Sequence, residues 1–305
     1  MNKRWLYNLF MIALLMAPLL TWGQTSKKSK GGSKSEQLEK SLLWEITGND
    51  LKAPSYLFGT IHVICADDYF WPDYFNEALQ QTEQLCLEMD IASTETRMKL
   101  ANLMLNMDGN KLSEKFDEQE WAQFQEFVKK SAPIVPAAAL DMMKPQAILM
   151  MMSMSQITCS DVQSYEMELM EKAGERGMKV VGLETVEQQA KVILSIPEEQ
   201  AIDMIKASMR SSSSGVAAKQ FADMMNLYKS QDISALHEMS TKDSLVKLDG
   251  KAFLSDRNED WIDKMKQMMS EKRTFFAVGA AHLAGEDGVI NLLRKAGYTL
   301  KPVLR

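Results

Sequence analysis

One short pattern, an apolar run followed by glycine, two further residues and histidine, occurs twice in this chain. The first copy spans residues 55–64 (SYLFGTIHVI) and the second spans residues 274–283 (TFFAVGAAHL). Tyr, Phe, Leu, Ile and Val favour a buried strand, and a glycine after such a run marks a bend or a close backbone approach. The chain has 3 histidines. The pattern places two of them, His62 and His282, just after predicted core strands, so the fold must accommodate two such strand ends.

The segments around these strands predict a mixed sheet. Residues 41–46 form a strand candidate, and the turn residues 48–50 and Pro54 indicate a β-hairpin with the first patterned strand, hence an antiparallel pair. Further along, a helical pattern over residues 164–174 leads into a strand over residues 178–184. Such a crossover favours parallel pairing with an earlier strand. We therefore predict an α/β fold in which a central mixed sheet is flanked by many helices.

Two long regions, residues 93–155 and 195–249, have helical periodicity but no motif that indicates chemistry. The very apolar part over residues 137–154 contains Asp141, Lys144 and Pro145. It is therefore expected to be a buried helix or helix pair, not a membrane span. The Ser-rich residues 211–215 are expected to form a mobile loop.

Composition and the N-terminus indicate an exported globular protein. The 305 residues are 46% hydrophobic and 25% charged, and the net charge of −6 argues against nucleic acid as a partner. Lys3 and Arg4, followed by the apolar residues 6–20, predict a signal peptide over residues 1–23. Residues 24–40 are predicted to be a flexible leader. We expect a periplasmic or secreted protein. The alternative is an uncleaved signal segment, which would be its one link to a membrane.

Export bears on the three cysteines, Cys65, Cys86 and Cys159. In an oxidising compartment two of them can pair and one remains free, and the sequence permits three such pairings. Three buried thiols are the alternative.

Four predicted strands end in side chains that can bind a metal ion or transfer a proton. These residues are His62, Glu88 (with Asp90 two residues later), Glu184 and His282. Ligand sites in sheets with crossover helices collect at the carboxyl ends of the strands, so we expect the four to meet. Two imidazoles and two carboxylates are suitable ligands for one divalent ion such as Zn²⁺, Mn²⁺ or Co²⁺. The alternatives are histidines satisfied within the core and carboxylates that cap helices. His237, on a polar helical stretch, is expected to be an ordinary surface residue.

Further motifs lie along the chain in a fixed order. They are LLWEI and SYLFGTIH within residues 42–62, LCLEMD at 85–90, SYEMEL at 164–169, GLETVEQQ at 182–189, RN at 257–258, and VGAAHLAGEDGV at 278–289. Together they resemble the TraB/GumN family, which includes the Tiki metalloproteases of animals and many exported bacterial proteins. The resemblance covers about residues 42–305 and implies a single α/β domain, residues 41–305, with helical insertions. It also implies a metal-dependent site built from His62, His282 and Glu88, with Glu184 and Arg257 at the metal or beside it.

Two functional hypotheses follow. The first is a metal-dependent hydrolase, above all a peptidase, that acts on a peptide or protein substrate in the cell envelope or outside the cell. The ion would activate water, Glu88 or Glu184 would be the general base, and Arg257 would stabilise charge on oxygen or bind a substrate carboxylate. The second is a non-catalytic envelope binding or assembly protein with the same fold. The 24 methionines suggest it, because Met-rich surfaces adapt to partners. Convergent His and Glu side chains favour the first hypothesis.

Overall fold

The computed structural model describes residues 38–131, 137–154, 157, 159–211, 216–242 and 253–304. The predicted signal peptide (1–23), most of the predicted leader (24–40) and residues 212–215 of the predicted Ser-rich loop lie outside these residues. In the described ranges, no helix combines the length and the apolar character that crossing a membrane requires.

The described strands form one large mixed sheet and one small strand pair. In chain order the strands are β1 (Leu43–Gly48), β2 (Ser55–Thr60), β3 (Ile64–Cys65), β4 (Gln84–Met89), β5 (Val162–Gln163), β6 (Lys179–Glu184), β7 (Thr274–Gly279) and β8 (Tyr298–Pro302). Six of them form a sheet in the order β6-β4-β7-β2-β1-β8, and β3 pairs with β5. This sheet confirms the predicted α/β class.

The pairing within the sheet makes the two patterned strands neighbours. β1 lies antiparallel to β2, as the hairpin signal predicts, and also antiparallel to β8. β2, β7, β4 and β6 are mutually parallel, as the crossover predicts. Tyr56 pairs with Phe275 and Thr60 with Gly279, so the two patterned strands run in register and end together. His62 and His282 therefore follow two adjacent strand ends.

The described helices surround this sheet or form a separate helical unit. In chain order they are α1 (Asp73–Gln80), α2 (Thr94–Leu103), α3 (Glu118–Ser131), α4 (Ala137–Leu140), α5 (Pro145–Met154), α6 (Tyr165–Glu175), α7 (Val186–Leu194), α8 (Glu198–Ser211), α9 (Val216–Lys229), α10 (Ile233–Lys242), α11 (Ser255–Glu271) and α12 (Val289–Lys295).

Internal contacts divide the chain into two compact units. The sheet unit takes in the described parts of residues 21–90, 161–184 and 223–305, and it contains the sheet with α1, α6, α10, α11 and α12. Its core is packed with aromatic side chains. Phe58 of β2 is fully buried and its ring centroid lies 4.8 Å from that of Phe75 in α1 and 5.6 Å from that of Tyr165 in α6.

The helical unit comprises the described parts of residues 91–160 and 185–222. The apolar residues 137–154 form the helix pair α4 and α5, as predicted, and Ile148 and Leu149 are buried. The Gln146 side chain donates to the Ile196 carbonyl at 2.7 Å, and Lys206 pairs with Glu120 at 2.6 Å. The predicted insertion over residues 195–249 is divided, because its part from Asp223 onwards belongs to the sheet unit.

The cysteines have different states. Cys65 and Cys159 are disulfide-bonded, and Cys86 on β4 is a buried free thiol. Two of the three cysteines are therefore oxidised, as expected for an oxidising compartment, and the alternative of three buried thiols is wrong.

Candidate functional site

The carboxyl edge of the parallel strands brings the predicted site residues together. Glu88 lies in β4, Glu184 ends β6 and His62 follows β2. His282 ends a short 3-10 turn, Ala280–His282, that follows β7, and Arg257 lies in the first turn of α11. Glu88 is 6% exposed and His282 is 5% exposed, so the cluster is largely withdrawn from water. In such an environment each charge needs a partner.

The guanidinium of Arg257 is the centre of this cluster. Its Nε and Nη2 donate to the two oxygens of Glu184 at 2.7 and 3.0 Å, and Nη2 also donates to Glu88 Oε2 at 2.6 Å. Nη1 lies 3.3 Å from His282 Nε2. Burial disfavours the charged form of Glu88, but Arg257 and the two histidines hold the pKa of that carboxyl well below its usual range. Arg257 thus pairs with both glutamates and keeps the buried Glu88 carboxylate ionised.

Trp261 of α11 completes the environment of Glu184. Its Nε1 donates to Glu184 Oε1 at 2.8 Å, and its ring lies 5.0 Å from the Arg257 guanidinium carbon and 4.6 Å from the centroid of the His282 ring. Both oxygens of Glu184 therefore accept hydrogen bonds from the protein itself.

Each of the two histidines is held at Nδ1. His62 Nδ1 lies 2.8 Å from Glu166 Oε1, and His282 Nδ1 lies 2.6 Å from Asn258 Oδ1. The Asn258 amide nitrogen donates to the Asp287 carbonyl at 2.8 Å, which leaves its oxygen for the ring. An acceptor at Nδ1 places the ring proton there, so Nε2 presents its lone pair to the cluster. This arrangement is typical of histidines that bind metal ions.

The pKa values of the two histidines shift in opposite directions. Burial and the nearby Arg257 cation lower the pKa of His282 to about 3, so this ring is neutral near pH 7. Burial also lowers the pKa of His62, but the Glu166 carboxylate outweighs this effect and raises the pKa above its ordinary value.

Acid is therefore expected to destabilise the metal-free protein. Between pH 6.5 and about 3 an unfolded chain protonates residue 282, whereas the folded chain does not, so stability is lost as the pH falls through this window. The lowered pKa of Glu88 acts in the same direction below its ordinary value of 4.5, whereas the raised pKa of His62 acts only above pH 6.5, where its stabilisation is lost as the pH rises. We expect His282→Gln to flatten the decline by up to about 1.4 kcal/mol per pH unit, and His62→Gln to leave the slope in this window unchanged. Urea unfolding at several pH values measures both slopes. An unchanged slope in His282→Gln would contradict this assignment.

Gly59 and Gly279, the glycines of the two patterns, each leave room for a different neighbour. A Cβ atom at Gly59 would lie 3.1 Å from Ala280 Cα and 3.1 Å from Leu283 Cδ2, so β2 packs directly against the turn that carries His282. A Cβ atom at Gly279 would lie 3.3 Å from Glu88 Oε1, 3.6 Å from His282 Cδ2 and 3.7 Å from His62 Nε2. The second glycine therefore leaves open a space bordered by all three donor groups. We call this the donor space.

The side chains around the donor space are of the chemical types that bind a divalent ion, and the hydrogen bonds that orient them are those of metal-binding histidines. Two imidazole nitrogens with hydrogen-bonded Nδ1 partners and one carboxylate are ordinary ligands of Zn²⁺, Mn²⁺ or Co²⁺. In the observed conformation, no three His, Cys, Asp or Glu side chains of the described residues are arranged so that they could hold an ion. Glu88 Oε1 and His282 Nε2 are 3.9 Å apart, and Arg257 Nη1 contacts the same nitrogen. Metal binding therefore requires Arg257 Nη1 to leave His282.

Sequence reasoning missed several residues of this site. Glu166 and Asn258 stand in the SYEMEL and RN motifs, but nothing in the sequence connects them with the histidine rings they contact. The expectation for His237 was wrong. It is partly buried, and its Nδ1 lies 2.9 Å from the Ala281 carbonyl, because α10 packs against the turn that carries His282. The polar periodicity around His237 gives no signal of this contact.

Fold and site together define an α/β protein with a buried cluster of two histidines, two glutamates and an arginine at the carboxyl edge of its sheet. The chain matches the TraB/PrgY/gumN family over residues 42–302 and belongs to that family. This confirms the resemblance that its motifs carry.

Curated relatives of the chain are animal metalloproteases at low identity. The chain is 24% identical to Metalloprotease TIKI1 of Homo sapiens, over 93% of this chain and 67% of that protein. It is 22% identical to Metalloprotease TIKI2 of Xenopus tropicalis, over 89% of this chain and 61% of that protein. With Metalloprotease TIKI2 of Danio rerio the identity is 22%, over 98% and 67%. The chain thus spans about two thirds of the length of these relatives. No solved structure matches it significantly.

Proposed function

We propose that this protein is a metal-dependent hydrolase that cleaves peptide bonds and acts outside the cytoplasm. The observation that carries the proposal is the meeting of His62, His282 and Glu88 around the donor space, with both imidazoles held through Nδ1. The relatives named above are metalloproteases, which supports a peptide or protein substrate. The signal-peptide pattern and the disulfide-bonded Cys65 and Cys159 support export, because disulfides persist in oxidising compartments.

The residues of the cluster have distinct roles in this proposal. His62 and His282 would hold the ion through Nε2. A divalent ion bound there supplies an activated water molecule and polarises the scissile carbonyl. Glu88 has an oxygen at the donor space, so it would either bind the ion or act as the general base. Glu184 holds Arg257 in place, and Arg257 would stabilise negative charge that develops on the substrate oxygen.

The test is metal binding and peptide cleavage by the purified protein. We expect the wild type to bind Mn²⁺, Co²⁺ or Zn²⁺ stoichiometrically in elemental analysis and titration calorimetry, and to cleave peptides from a mixed library. His62→Ala and His282→Ala should lose both properties, because each removes an imidazole donor. Glu88→Gln should lose cleavage, whereas the matched control Glu83→Gln should not, because Glu83 pairs with Arg273 at the surface. Unchanged metal content and turnover in both histidine variants would refute the proposal.

One observation favours a second candidate function, a non-catalytic envelope binding or assembly protein. Arg257 already forms an ion pair with both Glu88 and Glu184, so each of these carboxylates has a cationic partner without a metal ion. A folded wild-type protein that binds none of the three metals and cleaves no peptide would favour this candidate.

A further inference from the structure

We propose that Glu166 is a positioning residue of this site. Its carboxylate fixes the orientation of the His62 ring and keeps the ring proton on Nδ1, so that Nε2 faces the donor space as an acceptor. The proposal deepens the proposed function, and only its metal-affinity consequence rests on that function.

The Glu166 carboxylate is itself held in a single orientation. The residue lies in the first turn of α6 and is 5% exposed. Oε1 accepts from Thr60 Oγ1 at 2.6 Å and from His62 Nδ1 at 2.8 Å, and Oε2 accepts from Ser164 Oγ at 2.9 Å. Rotation of this carboxylate would leave buried donors unpaired, which costs about 1–3 kcal/mol for each group. The acceptor for His62 is therefore preorganised.

The identity of the acceptor determines the tautomer of His62. An ionised carboxylate has no proton to donate, so the hydrogen bond forms only if Nδ1 carries the proton. A free histidine side chain prefers the opposite tautomer, with its proton on Nε2. Glu166 reverses this preference. The lone pair that can bind a cation is then on Nε2, which is the atom of the His62 ring that borders the donor space.

The two histidines of the site have chemically different acceptors. The His282 ring contacts the neutral amide oxygen of Asn258, whereas the His62 ring contacts a carboxylate. Charge-assisted hydrogen bonds are roughly twice as strong as neutral ones, and a carboxylate partner raises the basicity of a ligating imidazole. His62 is thus the stronger electron-pair donor to a metal ion of the two histidines. His282, whose partner is unchanged, is an internal reference for measurements of the ring tautomer.

The backbone holds the two segments together independently of the side chains. β3, which begins two residues after His62, pairs with β5, which ends three residues before Glu166. The Ala66 amide also donates to the Asp161 carbonyl at 3.0 Å. Substitution of Glu166 therefore changes the contact with the ring while the backbone pairing of the two segments remains.

The first experiment measures the tautomer without any metal. Two-bond ¹H–¹⁵N spectra of the ring nitrogens are recorded on chelator-treated protein at alkaline pH, where the rings are neutral, with His62→Ala used for assignment. We expect His62 to carry its proton on Nδ1 in the wild type and to move mainly to the Nε2–H form in Glu166→Ala. Glu166→Gln should retain Nδ1–H, because an amide oxygen can accept the same bond. The matched control Glu175→Ala truncates an exposed glutamate at the other end of the same helix and should also retain it. His282 should be unchanged throughout.

The second experiment measures affinity for Mn²⁺, Co²⁺ and Zn²⁺ by calorimetry on the same variants. We expect Glu166→Ala to bind about 10–100-fold more weakly than the wild type, with partial rescue in Glu166→Gln. Glu175→Ala should be close to the wild type.

The outcomes separate this proposal from the proposed function. A wild-type His62 with its proton on Nε2, or an unchanged tautomer in Glu166→Ala, overturns the positioning role. The wild-type spectrum decides the matter even if Glu166→Ala does not fold. If the tautomer changes as expected but the wild type binds none of the three metals, the positioning role stands and the proposed function fails.

Discussion

Arg257→Met is expected to lower the free energy of unfolding by about 3–5 kcal/mol, because it leaves two buried carboxylates without their counter-charge. Arg257 contacts Glu184 at 2.7 Å and Glu88 at 2.6 Å, and the side chains of the two glutamates are 5% and 7% exposed. Methionine keeps an unbranched apolar stem but lacks the guanidinium, so the substitution removes the charge and its hydrogen bonds. Urea unfolding of the metal-free protein near pH 7 measures the change.

A surface pair in the same unit is the control for this substitution. Arg273 and Glu83 form an ion pair at 3.1 Å, but their side chains are 45% and 50% exposed. Exposed pairs contribute little because water screens them, so Arg273→Met should change stability far less than Arg257→Met. The double variant Arg257→Met/Glu184→Gln should regain part of the loss, because it removes one of the unpaired charges. An Arg257→Met protein as stable as the control would show that the buried carboxylates do not depend on the guanidinium.

Gly279→Ala is expected to weaken binding of Mn²⁺, Co²⁺ and Zn²⁺ while the protein stays folded. The added methyl group would lie 3.3 Å from Glu88 Oε1 and 3.7 Å from His62 Nε2, within the donor space. The backbone at residue 279, with φ −52° and ψ 134°, is accessible to alanine, so the change adds no backbone strain. Overpacking of this kind costs about 1–3 kcal/mol, which corresponds to a loss of ~5–150-fold in a binding constant.

Gly174→Ala is the matched control. This glycine lies in α6, and a Cβ atom there would meet nothing within 4 Å. The control should bind metal as the wild type does and should gain up to about 1 kcal/mol in stability from helix propensity. Calorimetric titration compares the affinities, and circular dichroism with urea unfolding establishes that both variants are folded. If Gly279→Ala binds the three metals with wild-type affinity, the donor space is not the metal site and the proposed assignment of the ligands is wrong.

The local elements and the family could be predicted from the order of the amino acids alone. The apolar, β-branched runs before Gly59 and Gly279 specify buried strands, and the turn residues before β2 specify a hairpin, because both depend on residues that are adjacent in the chain. The helix before β6 likewise specifies a parallel crossover. The placement of His62, Glu88, Glu184 and His282 at or near strand ends also follows from the chain alone, and so does the expectation that they share one edge.

The contacts among these side chains depend on how distant elements pack, and the sequence did not predict them. The insertion of β7 between β4 and β2 brings Gly279 to the Glu88 carboxylate, and no periodicity in the chain encodes that strand order. The packing of α6 and α11 on the sheet gives His62 and His282 their acceptors and makes Arg257 a partner of carboxylates. The physical reason is that strand and helix patterns report burial along one element. The pairing of polar groups depends on the relative positions of elements far apart in sequence, and burial then forces each polar group to find a partner.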